Sequence, residues 1–224
     1  RNVMLYPAKD LIFFQADIHG NQLVTERWKV LRRMLEGVPM TIVTTLDALM
    51  EPQISLEKVK RDILHISTSG QAVEKELAEK LVTLGYEKTY QVEVPGQFSI
   101  RGGIVDIFDL TEENPYRIEL WGEDVDSIRS FDVLSQRSIE NLSSVDIYPA
   151  TEMILTKDQR ARGMHLIELE AKKQEKALQA QGKTEEAARL RRQIGELREE
   201  VLELEAKVNL ESYVRYFYQE LGSF

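Results

Sequence analysis

The sequence predicts a mixed α/β and α+β chain with three parts. An α/β segment comes first, an antiparallel β-rich module is inserted next, and an α-helical hairpin closes the chain. Three changes of hydrophobic period carry this reading. Two β-branched or apolar runs flank a helical stretch before residue 50. Twofold alternation sets in after residue 86. A 4-3-4-3-4 repeat of apolar residues then runs from 190 to 208.

Residues 3–6, Val-Met-Leu-Tyr, form a short apolar run ended by Pro7 and read as a buried strand. Residues 21–35 read as a helix with Leu23, Trp28, Leu31, Met34 and Leu35 inward and Arg27, Arg32 and Arg33 towards water, stopped by Gly37-Val-Pro39. Residues 40–45 are a second buried strand, and 47–52 make one helical turn that Pro52 ends. Strand, helix, strand implies a parallel piece of a larger sheet, because two strands are too few to stand alone.

Ser55 is placed to cap a short helix through Arg61, and residues 62–67 suit a short strand. Ser69 or Gly70 precedes a helix over 72–84, where Val73, Leu77, Leu81 and Leu84 share a face and Gly85 holds the C-cap. The meander follows. Residues 90–94 alternate, Pro95-Gly96 turns, 97–101 returns, Gly102-Gly103 is a bulge or kink, and 104–108 continues. Residues 116–121 and 125–132 are joined by the turn at Gly122, and Ser135-Gln136 leads into 138–139. One face is expected to pack on Leu77, Leu81 and Leu84.

Beyond Tyr148-Pro149 the composition turns helical. Leu190, Ile194, Leu197, Val201, Leu204 and Val208 form a heptad seam, with Met164, Ile167, Ala171 and Leu178 as a weaker counterpart. Gln181-Gly-Lys183 separates them, and Thr184 is placed as the second helix's cap. A partner helix so near in sequence favours an intramolecular antiparallel hairpin over a dimeric coiled coil.

The 224 residues carry a net charge of -9 and no cysteine, which excludes disulfides, thiolate metal sites and a cysteine nucleophile. No run of about 18 apolar residues is present, so no membrane-spanning helix is expected. The residues at the start lack a signal peptide's apolar stretch and cleavage site. Residues 1–58, 59–150 and 151–224 net 0, -8 and -1 (7 basic and 7 acidic, 9 and 17, 13 and 14). An acidic middle argues against phosphate-backbone binding there.

Chemistry-bearing motifs are scarce. No Gly-x-x-x-x-Gly-Lys-Ser/Thr cradle occurs, and Gly96-Gln-Phe-Ser-Ile-Arg-Gly102 lies on strands rather than between strand and helix. His19, His65 and His165 stand in three different segments. Asp124 with Asp126, and Glu112 with Glu113, read as solvated turn residues. No catalytic residue, cofactor or metal site is assigned. What stands out is surface character. If Val105, Ile107, Ile118 and Leu120 face the core, then Phe108 and Trp121 flank charged residues on the outer face. That pattern fits a protein-binding hot spot, or aromatics covered by the tail or a helix.

Several runs then resemble one known module. They are Leu84-Gly-Tyr-Glu-Lys88, Pro95-Gly-Gln-Phe-Ser-Ile-Arg-Gly-Gly-Ile-Val-Asp-Ile-Phe108, Tyr116-Arg-Ile-Glu-Leu-Trp-Gly-Glu-Asp-Val-Asp-Ser-Ile-Arg129, Phe131-Asp132, Ser135-Gln-Arg137 and Tyr148-Pro-Ala150. Together they resemble the UvrB-homology module shared by the excision-repair protein UvrB and the bacterial transcription-repair coupling factors (Mfd). Glu211-Ser-Tyr213 followed by Val-Arg-Tyr-Phe217 resembles the module's end. The path from Tyr6 through Phe13-Phe14 to the helix leaves no room for the tyrosine-rich DNA hairpin of UvrB, and Ser135-Gln-Arg137 is coupling-factor-like.

The resemblance implies a RecA-like α/β remnant at 1–57, a UvrA-interaction module at 58–144, and a return to the first domain with the helical hairpin at 145–224. It implies a cytoplasmic repair protein that recruits UvrA, with no catalysis or cofactor of its own. RNA polymerase and DNA would be engaged by modules outside the chain, beyond Phe224, and a further α/β part would precede Arg1. The UvrA face would be masked intramolecularly in the full-length protein. Of the UvrA-binding positions, Arg101 matches directly and Phe108 matches the aromatic closing its strand. Lys88 replaces an arginine, losing the bidentate fork, and Ser99 replaces another outright. The alternatives are a UvrB-type ATP-dependent damage-recognition subunit of the excision nuclease, and a purely structural spacer.

Overall fold

Two apolar runs near the start pair as neighbours in a parallel sheet. The computed structural model of the chain describes residues 2–8, 18–51, 55–202, 210 and 213–218. Strands β1 (Val3–Tyr6) and β2 (Thr41–Thr44) run parallel with Val3 opposite Thr41, joined by helix α1 (Ile18–Leu35). Trp28 and Leu31 of α1 are buried, as the apolar stripe predicts. Arg27 corrects that pattern: it is wholly buried rather than solvated. Its guanidinium meets the Pro7 carbonyl at 2.6 Å, Glu51 at 2.8 Å and Glu152 at 2.5 Å, and stacks 4.3 Å from the Tyr6 ring centroid. Paired this way, a buried cation is tolerated. Residues 13 and 14, and Pro52, lie outside the described residues.

Short helices α2 (Leu46–Met50) and α3 (Leu56–Asp62) start on side-chain caps. Thr45 accepts from the Ala48 amide, and Ser55 accepts from that of Lys58. Strand β3 (Leu64–Ser67) then pairs antiparallel with β10 (Ser144–Ile147), Leu64 opposite Ile147. These two strands are the first and last of the middle module, so the module leaves and rejoins the chain at one place.

Inside that module, helix α4 (Glu74–Thr83) begins at Val73, which has no side-chain cap, and neither Ser69 nor Gly70 supplies one. Its end is as expected. Gly85, at φ +88°, donates to Val82, and Tyr86 donates back to Leu81, a Schellman arrangement. A β-carbon on Gly85 would also lie 2.6 Å from the Thr151 side chain. The six-stranded sheet follows in the order β4 (Glu87–Lys88), β5 (Gln97–Arg101), β6 (Ile104–Ile107), β7 (Tyr116–Trp121), β8 (Asp124–Phe131), β9 (Ser138–Leu142). From β5 to β9 it is an antiparallel meander. Its inner face buries Phe98, Val105, Ile107, Ile118 and Ile128 against Leu77, Leu81 and Leu84, each contributing roughly 1.5–3 kcal/mol.

Two local expectations are corrected. Residues 90–94 are not a strand; the edge is β4, which pairs parallel to β5. The Gln97 side chain accepts the amides of Glu93 at 2.9 Å and Val94 at 3.2 Å, so these donors do not need a ladder. Gly102-Gly103 is not a bulge but the two-residue hairpin turn between Arg101 and Ile104, with φ +58° and +83°. Both positive angles are what a type I′ turn demands.

The chain divides into two compact units, Arg1–Ile154 with Gly222–Phe224, and Leu155–Leu221. The second contains α5 (Lys157–Ala180), α6 (Thr184–Leu202) and α7 (Val214–Phe217). Thr156 and Gln159 form a capping box at the start of α5, a Thr-x-x-Gln signal readable in the sequence. Thr184 is the first residue of α6 rather than its cap. Glu168 pairs with Arg198 at 3.1 Å and Glu175 with Arg191, so α5 and α6 are antiparallel. Val201 of the seam is buried, while Leu204 and Val208 lie outside the described residues. Gly163 lets α7 dock on α5: a β-carbon there would fall 2.1 Å from the Phe217 ring.

Candidate functional site

Alternation along five strands sets a row of polar side chains on the outer face of the sheet. Ser99 is opposite Asp106, Asp106 opposite Arg117, Arg117 opposite Arg129, and Arg129 opposite Asn141. Asp106 is 1% exposed and accepts from Nε and Nη2 of Arg117, at 2.7 and 2.8 Å. Arg101, diagonal to it, donates to the same carboxylate at 3.1 Å. One buried negative charge therefore serves two cations. Arg117 is fixed further by Gln136 Oε1 at 2.8 Å and by the Phe131 ring, 4.2 Å from its guanidinium carbon. Gln136 takes a left-handed φ of +59° to reach it, uncommon for a non-glycine residue.

Arg101 is the accessible member. Its side chain is 36% exposed against 13% for Arg117, and its guanidinium lies 5.6 Å from the exposed Tyr90 ring. Glu119, one row along, accepts from Arg129 at 2.6 Å and Ser127 at 3.0 Å, and those bonds hold its carboxyl below the usual range. Two carboxylates, Asp106 and Glu119, thus hold three arginines, Arg101, Arg117 and Arg129.

The four sequence-predicted residues are not all equivalent. Ser99, Arg101 and Phe108 share the outer face by alternation, whereas Lys88 sits exposed on edge strand β4 in register with Phe98, a residue of the inner face. Ser99 is 1% exposed, and its hydroxyl has no hydrogen-bond partner. Phe108 is on the predicted side but buried. It packs with Val92 and Phe131, with Val133 beside them. Trp121, by contrast, is openly exposed.

Sequence reasoning missed Asp106 and Arg117 as partners of Arg101. A usable signal was present: a carboxylate within Ile-Val-Asp-Ile demands a cation or donors when the strand is buried. It also missed Asp109, wholly buried below the sheet end. Burial pushes its carboxyl up, while the Thr111 amide and hydroxyl and the Tyr148 amide, at 2.7–2.8 Å, pull the other way. Tyr86 donates to Tyr148's carbonyl at 2.6 Å and lies 3.2 Å from the same carboxylate. This is a structural knot. The carboxylates expected in solvated turns are placed differently: Asp124 and Asp126 lie within β8, where Asp124 accepts from Gln71, and Glu112 is held by Arg32 of α1. His65 pairs with Asp146 across the β3–β10 strands. No cluster of metal-ligating side chains, and no helix long and apolar enough to cross a membrane, occurs among the described residues.

Residues 64–153 match the UvrB interaction domain family. The whole chain is 37% identical, over 226 aligned residues, to the transcription-repair-coupling factor of Bacillus subtilis (strain 168), covering 19% of that protein. The chain belongs to the UvrB-homology modules of the transcription-repair-coupling factors. Its Staphylococcus aureus relatives of the same name are 35% identical (strain bovine RF122 / ET3-1) and 34% identical (strain MRSA252) over 153 residues, which is 68% of this chain and 13% of theirs. The chain thus spans about a fifth or less of the length of these coupling factors. Within the UvrB-homology module, the matched segment opens on β3, closes six residues after β10, and contains the entire outer face.

Proposed function

We propose that the outer face of the six-stranded sheet is a UvrA dock, and that the chain recruits UvrA for a coupling factor acting in transcription-coupled nucleotide excision repair. The observation that carries this is the shared carboxylate. Asp106 serves both Arg101 and Arg117, so the exposed Arg101 keeps positive charge that its own module does not neutralise. That cation stands on a segment, residues 59–150, with 17 acidic and 9 basic side chains. A partner carboxylate at Arg101 would form a charge-assisted pair with a pre-positioned donor.

In this reading Arg101 touches UvrA directly and Lys88 adds a second cation at the sheet edge. Ser99 and Phe108 act from beneath, shaping the floor on which Arg101 and Tyr90 rest. Residues 58–144 form the dock, inserted between a RecA-like remnant at 1–57 and a return to that domain with the helical hairpin at 145–224. The module performs no chemistry and holds no cofactor. RNA polymerase and DNA are engaged by other parts of the longer protein, where the dock is masked until needed. Calorimetric titration of the chain with UvrA tests the assignment. Arg101→Glu is expected to abolish binding with an unchanged circular dichroism spectrum, and retained affinity would overturn it.

A further inference from the structure

We infer that the same partner is held at a second point, Trp121, and that the dock is a two-anchor surface rather than a single cation. The inference rests on the docking reading above and extends it to a residue outside the four assigned positions. Trp121 is 81% exposed, although tryptophan is among the residues most costly to leave in water. Its exposure is built rather than accidental. It ends β7 on the side that Arg117 and Glu119 occupy, and the bulge beside it falls on the partner strand β8, at Asp126, so β7 carries its alternation unbroken to Trp121.

The hairpin that carries it is also fixed in place. The Ala72 amide donates to the Glu123 carbonyl at 2.7 Å, the Val125 amide to Gly70 at 3.2 Å, and the Gln71 amide nitrogen to Asp124 at 3.0 Å. An aromatic on a pinned turn loses little freedom when a partner covers it, which is what distinguishes an anchor from a loose surface residue. Trp121 lies two strands across and two residues along from Arg101, about 12 Å away by standard sheet spacings. The occupant is therefore a protein surface that presents a carboxylate and, about 12 Å from it, an apolar pocket for an indole.

The chain has two tryptophans, and Trp28 is 1% exposed, which allows each to be observed separately. Chain labelled with 5-fluorotryptophan gives two ¹⁹F signals, assigned with Trp121→Phe. On addition of unlabelled UvrA, the Trp121 signal is expected to shift or broaden and the Trp28 signal to stay. Trp121→Ala is expected to weaken binding about 30-fold, the scale of an interface hot spot. If UvrA binds and Arg101→Glu abolishes it, but Trp121 neither moves nor matters, the second anchor is overturned and the docking reading stands. If UvrA does not bind the unmodified chain, both fall.

Discussion

Nε of Arg27 lies 2.5 Å from Glu152, a residue 125 positions further along the chain. That one contact ties the first α/β segment to the stretch that follows the inserted sheet, and Glu51 adds a third strand of the knot at 2.8 Å. Removing the cation takes away a shared charge partner of two carboxylates, one of them 8% exposed. Arg27→Ala is expected to cost about 3–5 kcal/mol in chemical denaturation. Arg27→Lys, which keeps the charge but not the fork, should fall between it and the unmodified chain.

Asp106 holds Arg101 and Arg117 at once, so it should matter to binding without touching the partner. Asp106→Asn is expected to weaken UvrA affinity about tenfold while raising its salt sensitivity, since two released cations are screened more readily. Titrations at low and high ionic strength read both effects. An affinity loss that does not depend on salt would point to a collapsed face instead.

Helix α7 is seated by the absence of a side chain. In Gly163→Ala, the new methyl meets the Phe217 ring while α5 itself gains about 1 kcal/mol of helix propensity. Amide exchange at residues 213–218 is expected to accelerate, with α5 unaffected. In the double variant Gly163→Ala with Phe217→Ala the clash is gone, so pairing the two changes should be less costly than their sum.

Glu119 gives the outer face an acid limit. Arg129 and Ser127 hold its carboxyl below the ordinary value of 4.5. The unfolded chain therefore takes up this proton at higher pH than the folded one does. The stabilisation is complete above that ordinary value and is lost as the pH falls through the lower, folded one. Thermal unfolding followed from about pH 6 to 3 should show this loss, and Glu119→Gln should flatten it.

How far the fold was legible follows from the range of each interaction. Twofold alternation reads local geometry, so it placed Val105, Ile107 and Ile118 inward correctly, and the glycine after Leu84 marked the end of α4 for the same reason. Residues 90–94 alternate too, but there the Gln97 amide replaced a neighbouring strand, a choice that no period records. Arg27 sits on the polar side of a helical wheel, and partners that no wheel records make its burial tolerable: the Pro7 carbonyl, Glu51 and the distant Glu152. The site divides in the same way. Arg101 was found through the resemblance, whereas its dependence on Asp106 comes from the β5–β6–β7 register, which is set by pairing rather than by composition. Phe108 was put on the right side with its exposure left open, because Val92, which packs on it, comes from the segment misread as a strand.

The pairing of β3 with β10 makes the middle module a cassette. Its two ends emerge side by side, about 5 Å apart. The segment is not sealed off from its neighbour: its sheet shares one apolar core with Tyr6, Trp28 and Leu31, and Arg32 of α1 pairs with Glu112. Moving the segment to another protein would therefore mean carrying part of the first α/β segment with it, since both line the same core.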